Sequence, residues 1–169
     1  MKRWWAVLLL LCLLLSGCSA GNKLELYVLS GDIVSQGMST TEIGQVALDS
    51  GRVVLTGDDL AGVDWERQYY QIKSHASQSV SVIDPSEGGC SLLKTTGSDL
   101  FVWVLDGKAL YVGGFEKGSS SVSRQREPYI RDRERYVFSI ESGGETDLRY
   151  NEKLYKFLSK HGLIRSELS

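Results

Sequence analysis

Short apolar runs along the chain predict a β-rich domain. From residue 24 to residue 140 these runs are separated by Gly, Asp, Ser and Pro turn signals, a spacing typical of antiparallel strands. The candidate strands are residues 24–29, 42–48, 52–56, 68–73, 79–83, 100–105, 108–112 and 136–140. Residues 58–65 are expected to hold one helical turn, capped by Asp58 or Asp59.

The strongest local pattern is a hairpin in the middle of the chain. Asp106-Gly107 separates two apolar runs, and this dipeptide favours a two-residue turn because both positions need positive φ. The resulting register places Trp103 opposite Leu110. Residues 100–105 are apolar at every position, which predicts a central strand covered on both faces.

A C-terminal helix is expected to supply part of that cover. Residues 154, 157, 158 and 161 share one helical face. Asn151 is a favourable N-cap, and Gly162 can adopt the left-handed conformation that ends a helix. The pattern therefore predicts an α+β domain, with a mostly antiparallel sheet around the central Asp-Gly hairpin and the C-terminal helix packed on it.

The N-terminal residues have the features of a secretory signal. Lys2 and Arg3 precede an unbroken apolar run over residues 6–15, which is too short to span a bilayer as a helix. Leu15-Ser16-Gly17-Cys18 resembles the lipobox of bacterial lipoproteins, in which the cysteine is acylated and becomes the new N-terminus. This predicts a signal peptide over residues 1–17, a lipidated tether over residues 18–23 and a single domain over residues 24–169.

Charge and cysteine content narrow the function classes. Without residues 1–17 the chain has 17 basic and 21 acidic residues, so broad nucleic-acid binding is not expected. With Cys12 removed and Cys18 lipidated, Cys90 has no intramolecular partner for a disulfide. No positive charge next to Cys90 lowers its pKa, which favours an inert thiol over a reactive one.

Motifs for catalysis or metal binding are not found. The two histidines, His75 and His161, do not form a zinc-ligand pattern, and no P-loop, EF-hand or Gly-x-Ser-x-Gly sequence is present. The sequence therefore predicts no catalytic residue, no cofactor and no metal. His161 is expected to pack on the helix's apolar face, and His75 to be exposed.

A polar, arginine-rich stretch between the hairpin and the helix is the candidate ligand or partner surface. Its candidate residues are Ser119, Ser120, Ser121, Arg124 and Arg126. Together with Arg131, Arg133 and Arg135, the arginines could form a cationic stripe for a carboxylate or phosphate. The alternative is a solvated edge strand whose interleaved acidic residues neutralise it.

Several segments resemble small bacterial lipoproteins of an uncharacterised family. They are residues 58–60, 64–66, 100–102, 106–108, 111–115, 119–121 and 147–152. The resemblance implies a single-domain lipoprotein and no particular activity.

These observations predict a lipoprotein at the outer face of the cytoplasmic membrane. It is expected to be held there by lipid on Cys18 and to act as a binding or accessory module, for which an envelope protein is the candidate partner. One alternative is a binding protein for a small carboxylate, phosphate or sugar ligand, and a less favoured one is a hydrolase. An exposed apolar patch would indicate the module, whereas a concave aromatic pocket with converging arginines would indicate the small-ligand protein.

Overall fold

The computed structural model describes residues 23–35, 37–74, 100–115, 127–133, 136–142 and 147–168. The candidate strand at residues 79–83 lies outside them. The described strands are β1 (Leu24–Leu29), β2 (Arg52–Thr56), β3 (Leu60–Asp64), β4 (Tyr69–Ile72), β5 (Leu100–Leu105), β6 (Lys108–Phe115), β7 (Tyr129–Asp132), β8 (Val137–Glu141) and β9 (Ile164–Arg165). The described α-helices are α1 (Thr40–Ser50) and α2 (Glu152–Lys160).

All nine described strands belong to one mixed sheet. Their order is β2-β1-β5-β6-β7-β8-β4-β3-β9. Neighbouring strands are antiparallel except for the pairs β6–β7 and β3–β9, which are parallel. The chain therefore has the expected α+β fold, with a mostly antiparallel sheet and a C-terminal helix.

The sheet curls strongly, and its concave side encloses the larger part of the core. Tyr70 on β4 and Trp103 on β5 are separated by three intervening strands, and in a flat sheet they would lie about 19 Å apart. Their ring centroids are nevertheless only 5.9 Å apart, and Tyr70 also stacks on Phe138 at 5.1 Å. The aromatic side chains of distant strands therefore meet inside the curl.

Strand β5 is central and is covered on both faces, as the continuous apolar run predicts. Phe101 and Trp103 face the enclosed core. Leu100, Val102 and Val104 face the other side, in a second cluster with residues of α1. Full burial on two faces explains why this strand does not alternate between apolar and polar residues.

Helix α1 corrects the expectation of a strand at residues 42–48. The Ser39 hydroxyl accepts a hydrogen bond from the Glu42 N–H, and the Glu42 carboxylate accepts one from the Ser39 N–H, so a capping box starts a helix here. Ile43 and Ala47, one turn apart, bury the helix against the sheet. At Gly44 any Cβ would clash with Ala109 on β6, so glycine permits the close approach.

The hairpin register also differs from the expected one. Asp106 and Gly107 have φ angles of 52° and 72° between β5 and β6. The pairing of Val104 with Ala109 is followed by Trp103 with Tyr111, because a β-bulge leaves Leu110 without a partner. The expected pairing of Trp103 with Leu110 is therefore wrong, and the bulge directs Tyr111 into the core beside Trp103.

Helix α2 packs its apolar face on the enclosed core. The Asn151 side chain accepts hydrogen bonds from the N–H groups of residues 153 and 154. Leu154, Phe157 and Leu158 are buried. The helix ends at Lys160, and Gly162 just beyond it has the left-handed φ of 64° that its sequence predicts. His161 is exposed, with its ring stacked on Phe157 at a centroid distance of 4.3 Å.

The expected helical turn over residues 58–65 is also corrected. Residues Gly57–Asp59 form one 3-10 turn, in which the Asp59 carboxylate accepts hydrogen bonds from the Thr56 N–H and hydroxyl. From Leu60 the chain is β3, because Leu60 and Val63 are fully buried and the strand pairs with β4.

Candidate functional site

Most of the sequence-derived candidates lie outside the described residues. These are Cys18, Ser119, Ser120, Ser121, Arg124 and Arg126, together with His75 and Cys90. The lipidation site and the serine-rich loop therefore stay predictions.

Two arginines of the proposed cationic stripe are described, and neither lies on an edge strand. Strand β7 runs between β6 and β8, so the expected edge strand is wrong at this position. The Arg131 Nη1 atom lies 3.2 Å from the Glu141 Oε2 atom, and Arg133 pairs with the other oxygen of the same carboxylate. Glu141 on β8 therefore compensates these two charges.

A small cleft opens at the end of β3, beside α2 and β9. Its volume is about 290 Å³, at the lower end of the range for ligand pockets. It is lined by Asp64, Trp65, Glu66, Tyr155, Ile164, Arg165 and Ser166. Three separate parts of the chain therefore form it: the turn after β3, the exposed side of α2 and the strand β9.

Aromatic side chains hold one wall of the cleft in place. The Trp65 ring lies 5.2 Å from the Tyr155 ring and 5.8 Å from the Tyr150 ring, the latter in an edge-to-face arrangement. The Tyr150 hydroxyl donates to the Glu66 carbonyl at 2.9 Å, which ties the start of α2 to the turn after β3. Tyr150 and Tyr155 are 46% and 42% exposed, so the wall presents aromatic surface to solvent.

The charged groups of the cleft differ in their pairing. The buried Asp64 carboxylate accepts a hydrogen bond from the Arg67 N–H at 3.0 Å, and it lies 3.7 Å from Arg67 Nε. The exposed Glu66 and Arg165 side chains make no ion pair with a described residue. The cleft thus offers one carboxylate and one guanidinium to a binding partner.

The ion pair between Asp147 and Arg149 lies against the aromatic wall, where Arg149 contacts the Tyr150 ring. Arg149 donates to both Asp147 oxygens and to the Ile140 carbonyl, and its guanidinium lies 5.5 Å from the centre of the Tyr150 ring. The hydrogen bond from Arg149 lowers the pKa of the Asp147 carboxyl.

This pair gives a pH prediction. The lowered pKa of Asp147 means that its contribution to stability is present above pH 3.8, its ordinary pKa, and is lost as the pH falls through the lower folded value. Below about pH 4, the unfolding free energy of Asp147→Asn should therefore decrease less steeply with falling pH than that of the parent protein. Urea titrations between pH 2 and pH 6 check this, and an unchanged acid slope would contradict it.

Several polar side chains are buried inside the curled sheet. Tyr70 donates to the buried Gln68 Oε1 at 2.9 Å, and Gln68 Nε2 donates to the Trp65 carbonyl at 2.7 Å. The Tyr111 hydroxyl interacts with that of Tyr70, yet neither Tyr111 Oη nor Trp103 Nε1 has a hydrogen bond of standard geometry with any described residue. Burial raises the pKa of both tyrosines well above the ordinary value.

The two buried tyrosines should respond differently to loss of the hydroxyl. Tyr70→Phe should cost about 1–3 kcal/mol, because it leaves the Gln68 oxygen without a donor in the core. Tyr111→Phe should be close to neutral, because its hydroxyl has no such bond to lose. Urea unfolding of both variants is the measurement. An equal cost for the two would mean that Tyr111 Oη has a partner, such as a buried water.

The described part of the chain has neither a metal-binding cluster nor a membrane-spanning helix. No group of three or more His, Cys, Asp or Glu residues there is placed to hold a metal ion. No described helix combines the length and the apolar character needed to cross a membrane.

Comparisons of the chain with protein-family models, with curated proteins and with solved structures found no match. The cleft's chemistry is therefore inferred from its own residues.

Sequence reasoning identified only fragments of this cleft. Tyr155 belongs to the expected C-terminal helix. Ile164 and Arg165 gave no signal, because a strand of two residues has no periodicity. Their position becomes clear only from the parallel pairing of β9 with β3.

Proposed function

We propose that this chain is a lipid-anchored binding module at the outer face of the cytoplasmic membrane, and that the cleft at Trp65 and Tyr155 is its binding surface for an envelope protein. The observation that carries the binding site is the exposed aromatic wall beside Glu66 and Arg165, whose charged groups form no ion pair with a described residue. Trp, Tyr and Arg are the residues most enriched at the energetic centres of protein interfaces.

The position of the tether supports this proposal. The Lys23 N–H donates to Asp106 at 2.9 Å, so the tether joins the domain beside the β5–β6 turn. Lys23 is the fifth residue after Cys18, so the segment between them has a reach of at most about 18 Å. The domain would therefore be held close to the bilayer at this end.

The cleft lies at the other end of β3. A Cβ at Gly57, just before β3, would touch both Phe157 and Leu24, so this end of β3 lies beside the first residue of β1, where the proposed tether would end. From Leu60 the strand runs five residues, about 16 Å, toward Trp65. The aromatic wall would thus face away from the lipid surface, where a protein partner can reach it.

A site-specific photo-cross-linker tests the binding surface in intact cells. Placed at the exposed Tyr155, it should capture one dominant envelope protein, and Glu66→Gln should reduce that capture. The matched control position is Leu48, which is 37% exposed on α1. The same protein captured equally at both positions, or no specific product at Tyr155, would contradict the proposed surface.

The anchor has its own prediction. Cys18→Ala should move the protein from the membrane fraction to the soluble or uncleaved pool, because the acyl chains supply about 0.8 kcal/mol for each buried methylene. Fractionation and intact mass measure this. A mutant that matches the parent in both would show that Cys18 carries no lipid.

A small-ligand protein is the second candidate function, favoured by the concavity of the cleft and by Arg165 in its lining. Arg131 and Arg133 do not support it, because both pair with Glu141. Under this alternative, the cross-linker at Tyr155 would capture no protein. Small carboxylates, phosphates or sugars would instead change the fluorescence of Trp65.

A further inference from the structure

We propose that the cleft receives an extended peptide segment of the partner, which adds as a further strand along the outer edge of β9 and places one apolar side chain against Trp65 and Tyr155. This inference rests on the proposed function and specifies how the partner is recognised.

The backbone of β9 provides the first argument. The Val63 N–H donates to the Leu163 carbonyl at 2.8 Å. In this parallel pairing, the polar groups of residues 163 and 165 point toward β3, so the N–H and C=O of Ile164 point to the opposite side. β9 is the last strand in the order, and no described strand pairs with that side. An open edge of this kind is a template for another extended chain.

The position of the cleft provides the second argument. Ile164, Arg165 and Ser166 form one of its sides, so a chain added along β9 passes its mouth. Side chains of an extended segment alternate between faces, and one of them would enter between β9 and α2. Main-chain hydrogen bonds would then supply affinity, and the aromatic pocket would select the side chain.

Charge complementarity defines the peptide further. Glu66 and Arg165 belong to different sides of the cleft and pair with no described residue. A segment with an apolar residue, and with one basic and one acidic residue two positions to either side of it on the same face, would satisfy both charges. Such pairing contributes mainly to specificity and to the direction of binding.

The test uses the lipidated full chain in phospholipid nanodiscs and a phage-displayed library of random linear heptapeptides. Selected peptides should share an apolar residue with opposite charges two positions before and after it. Their binding should change the tryptophan fluorescence, because Trp65 is half-buried in the cleft and Trp103 is fully buried elsewhere. Tyr155→Ala should weaken binding roughly tenfold or more, and the exposed Leu48→Ala should leave it unchanged.

Backbone N-methylation of a selected peptide distinguishes strand addition from other modes. Methylation at alternate residues should abolish binding, whereas methylation at the intervening residues should be tolerated. Glu66→Lys should weaken binding, and replacing the peptide's basic residue with an acidic one should restore it. These protein variants change exposed side chains, so they test recognition without removing the core.

Three outcomes would overturn the inference. The first is that N-methylation at every position of the peptide leaves binding equally strong. The second is that Tyr155→Ala does not weaken peptide binding. The third is that no peptide is selected and the chain instead forms a dimer through β9. If the cross-linker at Tyr155 still captures an envelope protein, the proposed function stands and the partner uses a folded surface. If that capture also fails, the proposed function fails as well.

Discussion

Gly113→Ala is expected to destabilise the domain by roughly 3 kcal/mol or more, the upper end of overpacking effects. Gly113 lies on β6 opposite Phe101, and a Cβ there would clash with both the Phe101 ring and the Pro128 carbonyl oxygen. Phe101 is fully buried and cannot move outward. The Pro128 carbonyl accepts the Gly114 N–H at 2.9 Å, so its displacement would break the junction of β6 with β7.

Urea unfolding followed by circular dichroism measures this effect, with Gly62→Ala as the matched strand-glycine control. A Cβ at Gly62 would lie 2.8 Å from Arg165 Cγ, on an exposed side chain that can rotate away. The control should therefore cost clearly less than Gly113→Ala. If both variants lost the same unfolding free energy, the β6–β7 junction would be packed less closely than the structure shows.

Trp103→Ala is expected to cost about 3–5 kcal/mol, the usual range for removing a large buried aromatic side chain. Trp103 is fully buried and lies 5.9 Å from Tyr70 across the curled sheet. Its removal would leave a cavity where β4, β5 and β6 meet, and the surrounding strands cannot close it without changing the curl.

The control for Trp103 is Trp65→Ala. Trp65 is only half-buried at the cleft, so its loss should reduce stability less than the loss of Trp103 while reducing partner capture more. Chemical unfolding of both variants gives the comparison. A cost below about 1 kcal/mol for Trp103→Ala would contradict the close packing of the curled sheet.

The sequence predicts the elements whose signals are local. The apolar run of β5 and the Asn151 and Gly162 caps of α2 were expected, and the structure confirms them. Helix α1 also has a local signal, since Ser39 and Glu42 have the spacing of a capping box. The β-branched Ile43 and Val46, which favour strands, and Gly44, which disfavours a helix interior, point the other way.

The remaining differences come from long-range packing. The bulge that pairs Trp103 with Tyr111 places two large rings in one core, and the turn sequence does not encode it. Likewise, β7 becomes an interior strand only because β8 joins it to β4 and β3. The charges of Arg131 and Arg133 are compatible with that position because Glu141 lies on the adjacent strand.

The cleft is the least predictable feature for the same reason. Trp65 is far in sequence from Tyr155 and Arg165, and the three meet through the Trp65–Tyr155 ring contact and the pairing of β9 with β3. Tyr150 contributes through a hydrogen bond to Glu66, across 84 positions of the chain. No local spacing encodes such a set.

The central claim, that the cleft is the partner-binding surface, is tested most directly by amide hydrogen exchange on the nanodisc-held protein with and without its captured partner. We expect slowed exchange at residues 64–68 and 164–166, and unchanged exchange in α1. Protection confined to α1 or to β2, with the cleft unaffected, would contradict the claim and move the binding surface to the other side of the domain.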